Sequence, residues 1–209
     1  MKIIVFGATG SIGRLAVAGI LADGHMVTAF ARRPERLGAW HPNLTLRAGD
    51  ACDPAAVLDA IHGHDAVLIT LGSGMSHKSV IRSQGTMNVI RGMQAHGVRR
   101  LICQSTLGAH DSRGNLNFVW KWIMFGLLLR PVLRDHELQE NLVRASGLDW
   151  TIVRPSAFVD GPATGAFRED VAPEDTNLTL KISRADVAGF LQRQLSELAY
   201  VHRAVGISN

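Results

Sequence analysis

Apolar and polar positions in this chain follow two rhythms that take turns. Near the start, "KIIVFG" is a short apolar run closed by glycine, after which Ile12, Leu15, Ala16, Gly19 and Ile20 recur at helical spacing. "HMVTAFAR" is rich in β-formers, "NLTLRAGD" alternates and "DAVLITLG" is apolar, so each predicts a strand. Between the last two, Asp53-Pro54 predicts a helix to about His62, with aspartate as cap and proline at the first helical position. A longer helix is predicted from about Val80 to His96, ended by Gly97 before the strand "RRLICQS". "DHELQENLVRAS" predicts a helix ended by Gly147, followed by the strand "DWTIVRP". Late in the chain, "LTLKIS" reads as a strand and "RADVAGFLQRQLS" as a helix capped by Ser183.

Repeated strand–helix–strand units with apolar strands imply a parallel sheet covered on both faces. No repeat, low-complexity tract or linker divides the 209 residues. The expectation is one Rossmann-type, doubly wound α/β domain over residues 1–209, with a mostly parallel sheet in order 3-2-1-4-5-6 plus a late strand. Residues from about 151 to 209 are expected to complete a substrate cleft.

The first strand and helix meet in "FGATGSIGRLA", with glycines at 7, 10 and 13. Such a string gains meaning from its place between a strand and a helix. There Gly7 permits the tight turn, Gly10 lets the backbone approach a pyrophosphate, and Gly13 allows close helix–strand packing. The helix start adds unpaired N–H groups and the positive end of its dipole. A site for NAD usually carries an acid at the end of the second strand, ~20 residues past the glycines. Here "TAFARRPER" supplies Arg32, Arg33 and Arg36 instead. A guanidinium can hold a 2′-phosphate that a carboxylate would repel, so NADP is the expected cofactor.

Composition removes several other classes. With 46% hydrophobic and 19% charged residues the chain is of ordinary globular type, and no apolar run reaches the ~18 residues of a membrane span. No export signal is visible at the start, so a cytoplasmic location is expected. Cys52 and Cys103 lie in separate segments and suggest neither a disulfide framework nor a metal site. The net charge of +4 is spread over scattered residues, which argues against a nucleic-acid footprint.

The ordered motifs "GATGSIG", "ARRPERL", "AGDACD", "ITLGSG", "QSTLGA", "DHELQENLVRASGLDWTIVRPS", "DGPATGAF" and "ISRADVAGF" resemble the atypical short-chain dehydrogenase/reductases. Within them, the NmrA-like NAD(P)-binding proteins and the biliverdin reductase B/flavin reductase subgroup are most similar. The resemblance spans nearly the whole chain. It implies that Gly7, Thr9, Gly10, Ser11 and Ile12 surround the pyrophosphate and that Arg32 and Arg33 hold the 2′-phosphate. It places Asp50 and Ala51 at the adenine, Leu71 and Gly72 beside the adenosine ribose, and Ser105 at the nicotinamide. Pro155 joins this cofactor set, while Ala157 and Phe158 fall to the substrate; Ala157 stands where the biliverdin reductase subgroup has a pocket histidine.

Many members of that superfamily use a Tyr-x-x-x-Lys pair on the helix after the fifth strand, with the tyrosine as proton donor. This chain has one tyrosine, Tyr200, near its C-terminus; Val132 and His136 occupy the slots of the pair. Alcohol oxidation through a tyrosinate is therefore not expected. A flavin or bilin accepts hydride mainly through proximity and orientation, which needs no such pair. Ser105 and His136 are the polar catalytic candidates. Ser105 either orients nicotinamide or substrate, or simply caps a strand end. His136 either contacts the ribose, acts as an acid near neutral pH, or forms an exposed i,i+4 pair with Glu140, opposite Leu138 and Leu142.

"NFVWKWIMFGLLLRPVL", residues 117 to 133, concentrates aromatic and aliphatic residues around Lys121 and Arg130. It can wall a pocket for a flat substrate with Trp120, Trp122 and Phe125, form a dimer surface, or be core. The function expected is an NADPH-dependent reductase of a flavin, quinone or similar small molecule, acting as monomer or homodimer. The alternative is a non-catalytic NADP(H) sensor of NmrA type.

Overall fold

The computed structural model describes residues 1–74 and 80–209. Its frame is an eight-stranded sheet of β1 (Lys2–Phe6), β2 (Met26–Ala31), β3 (Leu44–Ala48), β4 (Ala66–Ile69), β5 (Arg100–Gln104), β6 (Asp149–Pro155), β8 (Arg168–Glu169) and β10 (Arg203–Ser208). The order is β3-β2-β1-β4-β5-β6-β10-β8, parallel throughout except for β8 against β10. β7 (Ala157–Val159) and β9 (Lys181–Ser183) form a separate parallel ribbon. The expected 3-2-1-4-5-6 order is present. The late strand is not the expected one, however: "LTLKIS" contributes only β9 to the ribbon, and the main sheet is extended by "RAVGIS", residues 203 to 208.

Two apolar layers hold the sheet. On one face, α1 (Gly13–Ala22) and α5 (Arg184–Arg193) bury Ile12, Val17, Ile20, Val187 and Phe190 against β1 and β6. On the other, α2 (Pro54–Ile61), α3 (Ile81–His96) and α4 (Arg130–Arg144) bury Val57, Ile61, Val89, Met93 and Val143. Strands covered on both faces need no alternation, and Ile3, Ile4, Val5 and Phe6 are all fully buried.

Capping follows the sequence where the cap is local. The Asp53 carboxylate accepts from Ala55 and Ala56 N–H at 2.9 and 3.3 Å, and the Ser183 hydroxyl accepts from Asp186 N–H at 2.9 Å. One cap is tertiary. Asp135 of α4 accepts from the Arg82 and Ser83 N–H groups at 3.1 and 3.0 Å and so closes the start of α3.

α4 corrects an expectation. Its inner face carries Asp135, His136, Gln139, Glu140 and Val143, whereas Leu138 is 54% exposed. His136 and Glu140 are therefore both buried, with His136 lining the cleft, and do not form an exposed surface pair.

The segment before α4 is a π-helix, Val119–Leu128. Its bonds run i→i+5, as in Leu129 N–H to Met124 C=O at 2.6 Å, so residues four and five apart share a face. Phe125 faces inward with half-buried Trp120 against Leu116, Leu107 and Leu133; Trp122 faces outward.

Candidate cofactor cleft and acceptor cavity

A cleft of about 550 Å³ opens at the carboxyl ends of β1, β4 and β5, where the strand order reverses. Its floor is the glycine turn. Gly7 has φ +85°, and a Cβ there would lie 2.5 Å from the Thr70 carbonyl oxygen. A Cβ on Gly13 would meet the Gly7 carbonyl oxygen at 2.2 Å, which explains why α1 can start so close to β1. Thr70 locks the turn through its hydroxyl, which donates to the Phe6 and Gly7 carbonyls at 3.1 and 3.3 Å. Among the described residues no side chain caps α1, leaving its first turn open to the cleft.

Gly7, Thr9, Gly10, Ser11 and Ile12 line the cleft at this end, and Gly13 lies behind them in the helix–strand packing. Arg32, Asp50, Ala51, Leu71 and Gly72 line its middle. Arg36 also lines it, brought back by the 3-10 turn Pro34–Leu37, whereas Arg33 is exposed outside the described lining. Ser105, Thr106, His136 and Phe158 close the far end. Pro155 ends β6 with its carbonyl accepting from Leu107 N–H at 2.9 Å and borders neither the cleft nor the cavity beyond it.

That second cavity, about 370 Å³, is walled by Trp120, Phe125, Leu129 and Val132 on one side and by Leu107, Ala157, Phe158 and Leu180 on the other. It shares Thr106, His136 and Phe158 with the cleft, so the two spaces meet. Trp122 is not part of this wall. It lies in a separate concavity with Arg113, Arg130, Arg134 and Glu137, contrary to its expected place beside Trp120.

Ser105 follows β5 directly and is 1% exposed. Its hydroxyl donates to Glu140 Oε1 at 2.7 Å. Glu140 is fully buried and is held by Arg154, with Nε to Oε1 at 2.9 Å and Nη2 to Oε2 at 2.7 Å. Arg154 Nη1 also donates to Asp111 Oδ1 at 2.8 Å. A bidentate pair in a dry setting fixes both planes. The consequence is chemical: the only proton of Ser105 is committed to Glu140, so Ser105 offers the cleft an acceptor and not a donor.

His136 sits at the junction, and its Nδ1 has no hydrogen-bond partner among the described residues. Burial, with the nearby Arg82 charge, pushes its pKa down to about 3. The imidazole is therefore neutral at pH 7, and the expected role as an acid near neutral pH is not available to it. The linkage is calculable. A histidine neutral in the fold but titrating near 6.5 when unfolded costs stability as pH falls below 6.5, and the loss continues toward 3. Between pH 7 and pH 5 this amounts to about 2 kcal/mol. Urea unfolding should show His136→Gln losing that much less stability across the interval; an unchanged slope would contradict a buried neutral imidazole.

Two features escape sequence reading. Arg82, which lines the cleft, has a buried Nε without a partner among the described residues and lies 3.6 Å from Asp135, whose oxygens already cap α3. A cation in the first turn of a helix opposes the dipole, which was the available signal. The Glu140–Arg154 pair joins residues 14 apart on a helix and a strand, with no local signature.

The glycine turn, the switch-point cleft and the parallel sheet define a dinucleotide-binding Rossmann protein. The chain belongs to the NAD(P)H-binding family, matching it over residues 7–198. Among curated relatives it is 26% identical to the UPF0659 protein YMR090W of Saccharomyces cerevisiae, covering 93% of this chain and 87% of that one. It is 32% identical to a (4-alkanoyl-5-oxo-2,5-dihydrofuran-3-yl)methyl phosphate reductase of Streptomyces griseus, over 78% of this chain and 50% of the relative. Among solved structures it matches ChuY of Escherichia coli O157:H7, described as an anaerobilin reductase, at TM-score 0.80 and 25% identity, covering 100% and 97% of the two chains. A short-chain dehydrogenase/reductase of Veillonella parvula in complex with NADP shares the fold at TM-score 0.82 and 18% identity, covering 100% and 94%. No described helix is long and apolar enough to cross a membrane.

Proposed function

We propose that this protein is an NADPH-dependent reductase that delivers hydride to a flavin or another flat, conjugated acceptor. One observation carries the reading: the dinucleotide cleft runs at its Ser105 end into a separate apolar cavity, through Thr106, His136 and Phe158. A sensor that only bound the dinucleotide would have no use for that second space. NADPH, when bound, supplies the hydride.

The residues of the chain orient and exclude. Gly7, Thr9, Gly10, Ser11 and Ile12 receive the pyrophosphate, Arg32 with Arg36 the 2′-phosphate, Asp50 and Ala51 the adenine, and Leu71 with Gly72 the adjoining ribose. Ser105, being an acceptor only, holds an N–H group such as the nicotinamide amide. Trp120, Phe125, Ala157 and Phe158 sandwich a flat ring system and keep water from it.

The acceptor class follows from what these side chains withhold. Ser105 has no free proton and His136 is neutral. Tyr200, whose hydroxyl donates to Glu169 Oε2 at 3.4 Å, is tied to β8 at the sheet edge. Among the described residues, none of these three stands ready as a proton donor, which favours an acceptor whose protonation can follow from solvent, as in flavins, quinones and bilins.

The test is NADPH oxidation against a panel of flavins, quinones and bilins, with Val132→Trp as the variant that fills the cavity. Turnover should appear with at least one flat acceptor. The variant should raise its KM by roughly tenfold or more while leaving NADPH affinity within about twofold. Absence of turnover with every acceptor would sink the reductase reading and return the sensor.

A further inference from the structure

The π-helix has two apolar faces, and only one is used by the cavity. Trp120, Phe125 and Leu129 point in. Phe118, Trp122 and Leu127 form one outward row at π spacing, and Val119, Ile123 and Leu128 the next; all six are exposed, with Phe118 and Leu127 more than 70% so. Sixteen large hydrophobic residues are exposed among the described residues, and six of them fall within these eleven positions. The others are scattered, as on any soluble protein. A contiguous apolar ridge is different and calls for an occupant.

The charges around the ridge say which. Arg113, Arg130 and Arg134 surround Trp122 in one concavity of about 390 Å³, and Lys121 precedes Trp122 in the helix. Among the described residues, none of these four cations has a carboxylate within ion-pair distance; the one acid bordering the concavity is Glu137. Elsewhere the arginines of this protein are mostly paired, as Arg99, Arg168, Arg193 and Arg203 are. Tryptophan, phenylalanine and leucine on a helix rimmed by unpaired cations is the chemistry of an interfacial element.

We infer that the outward face of residues 118–128, with Arg113, Lys121, Arg130 and Arg134, docks onto an anionic lipid bilayer. The apolar row enters the acyl boundary while the cations meet phosphate headgroups. A second copy of the chain fits the same ridge less well. A two-fold contact there would bring the two unpaired arginine clusters toward each other, and like charges across an interface oppose association. The inference does not depend on the nature of the acceptor.

Co-sedimentation with vesicles tests it. The full chain should bind vesicles containing phosphatidylglycerol and leave phosphatidylcholine vesicles almost unbound, and added salt should release it. Phe118→Glu combined with Leu127→Glu, two exposed positions outside both cavities, should weaken binding by an order of magnitude or more. Arg130→Glu with Arg134→Glu should abolish the preference for anionic lipid. NADPH affinity within about twofold of the parent certifies each variant as folded. The inference is overturned if the parent binds neither vesicle, or if the apolar pair of substitutions leaves binding intact. It is also overturned if size exclusion finds a dimer that Leu127→Glu dissociates, which would give the ridge to a second copy.

Discussion

Arg154→Met is expected to lower the unfolding free energy by about 3–5 kcal/mol, the usual cost of stripping one partner from a buried ion pair. Arg154 is 1% exposed and is the largest fully buried side chain among the described residues. Removing its guanidinium leaves the Glu140 carboxylate inside the fold with the Ser105 hydroxyl and Arg144, whose nearest nitrogen is 3.7 Å away on a side chain 40% exposed. That remnant cannot replace two charge-assisted bonds of 2.9 and 2.7 Å. The penalty belongs to the orphaned charge and not to the packing, since methionine retains much of the apolar stem. Arg154→Met with Glu140→Leu should therefore recover at least half of the loss, measured by urea unfolding of all four members of the cycle. A single-variant loss under about 1 kcal/mol, or a double variant as unstable as Arg154→Met, would show that the pair is not a dry one. In the double variant Ser105 regains its proton, so any change in acceptor KM reports on the hydroxyl having become a donor.

That pair also marks where sequence reasoning stopped. The strand–helix alternation and the glycine turn were legible because both are local: a strand, its turn and the following helix lie within about twenty residues, and each residue type has one steric reason to be there. Asp53 and Ser183 were readable as caps for the same reason. Asp135 was not, because it caps a helix that starts more than fifty residues earlier. β10 escaped because "RAVGIS" is short, follows a turn, and gains its register from β6 across the sheet rather than from its own pattern. The face of α4 was misjudged for a physical reason. Leucines usually mark the buried stripe, but here Leu138 is outside while His136 lines the cleft, Gln139 bonds Thr86 of α3 and Glu140 pairs with Arg154. Trp122 does not follow from the apolar block alone: residues two apart on any helix point to nearly opposite sides, and in the π-helix Trp122 faces away from Trp120.

Arg32→Ala combined with Arg36→Ala should reduce NADPH affinity by roughly 10²-fold, the effect of deleting two charge-assisted donors to one phosphate, while NADH affinity changes little. The parent should accordingly favour NADPH, because its cleft carries Arg32 and Arg36 near the end of β2 and no acid at that strand end. Both arginines are exposed, so their attraction is screened by salt; the NADPH-over-NADH ratio should shrink as ionic strength rises, with NADH itself nearly insensitive. Arg33 is the internal control. It lies outside the described lining of the cleft, and Arg33→Ala should shift the ratio by less than about twofold although the sequence alone paired it with Arg32. Titration of intrinsic fluorescence, with thermal shifts at matched concentrations of the two dinucleotides, gives both constants. Equal affinity of the parent for NADH and NADPH would end the 2′-phosphate assignment. A ratio that depends on Arg33 and not on Arg36 would relocate the phosphate from the 3-10 turn to the strand end.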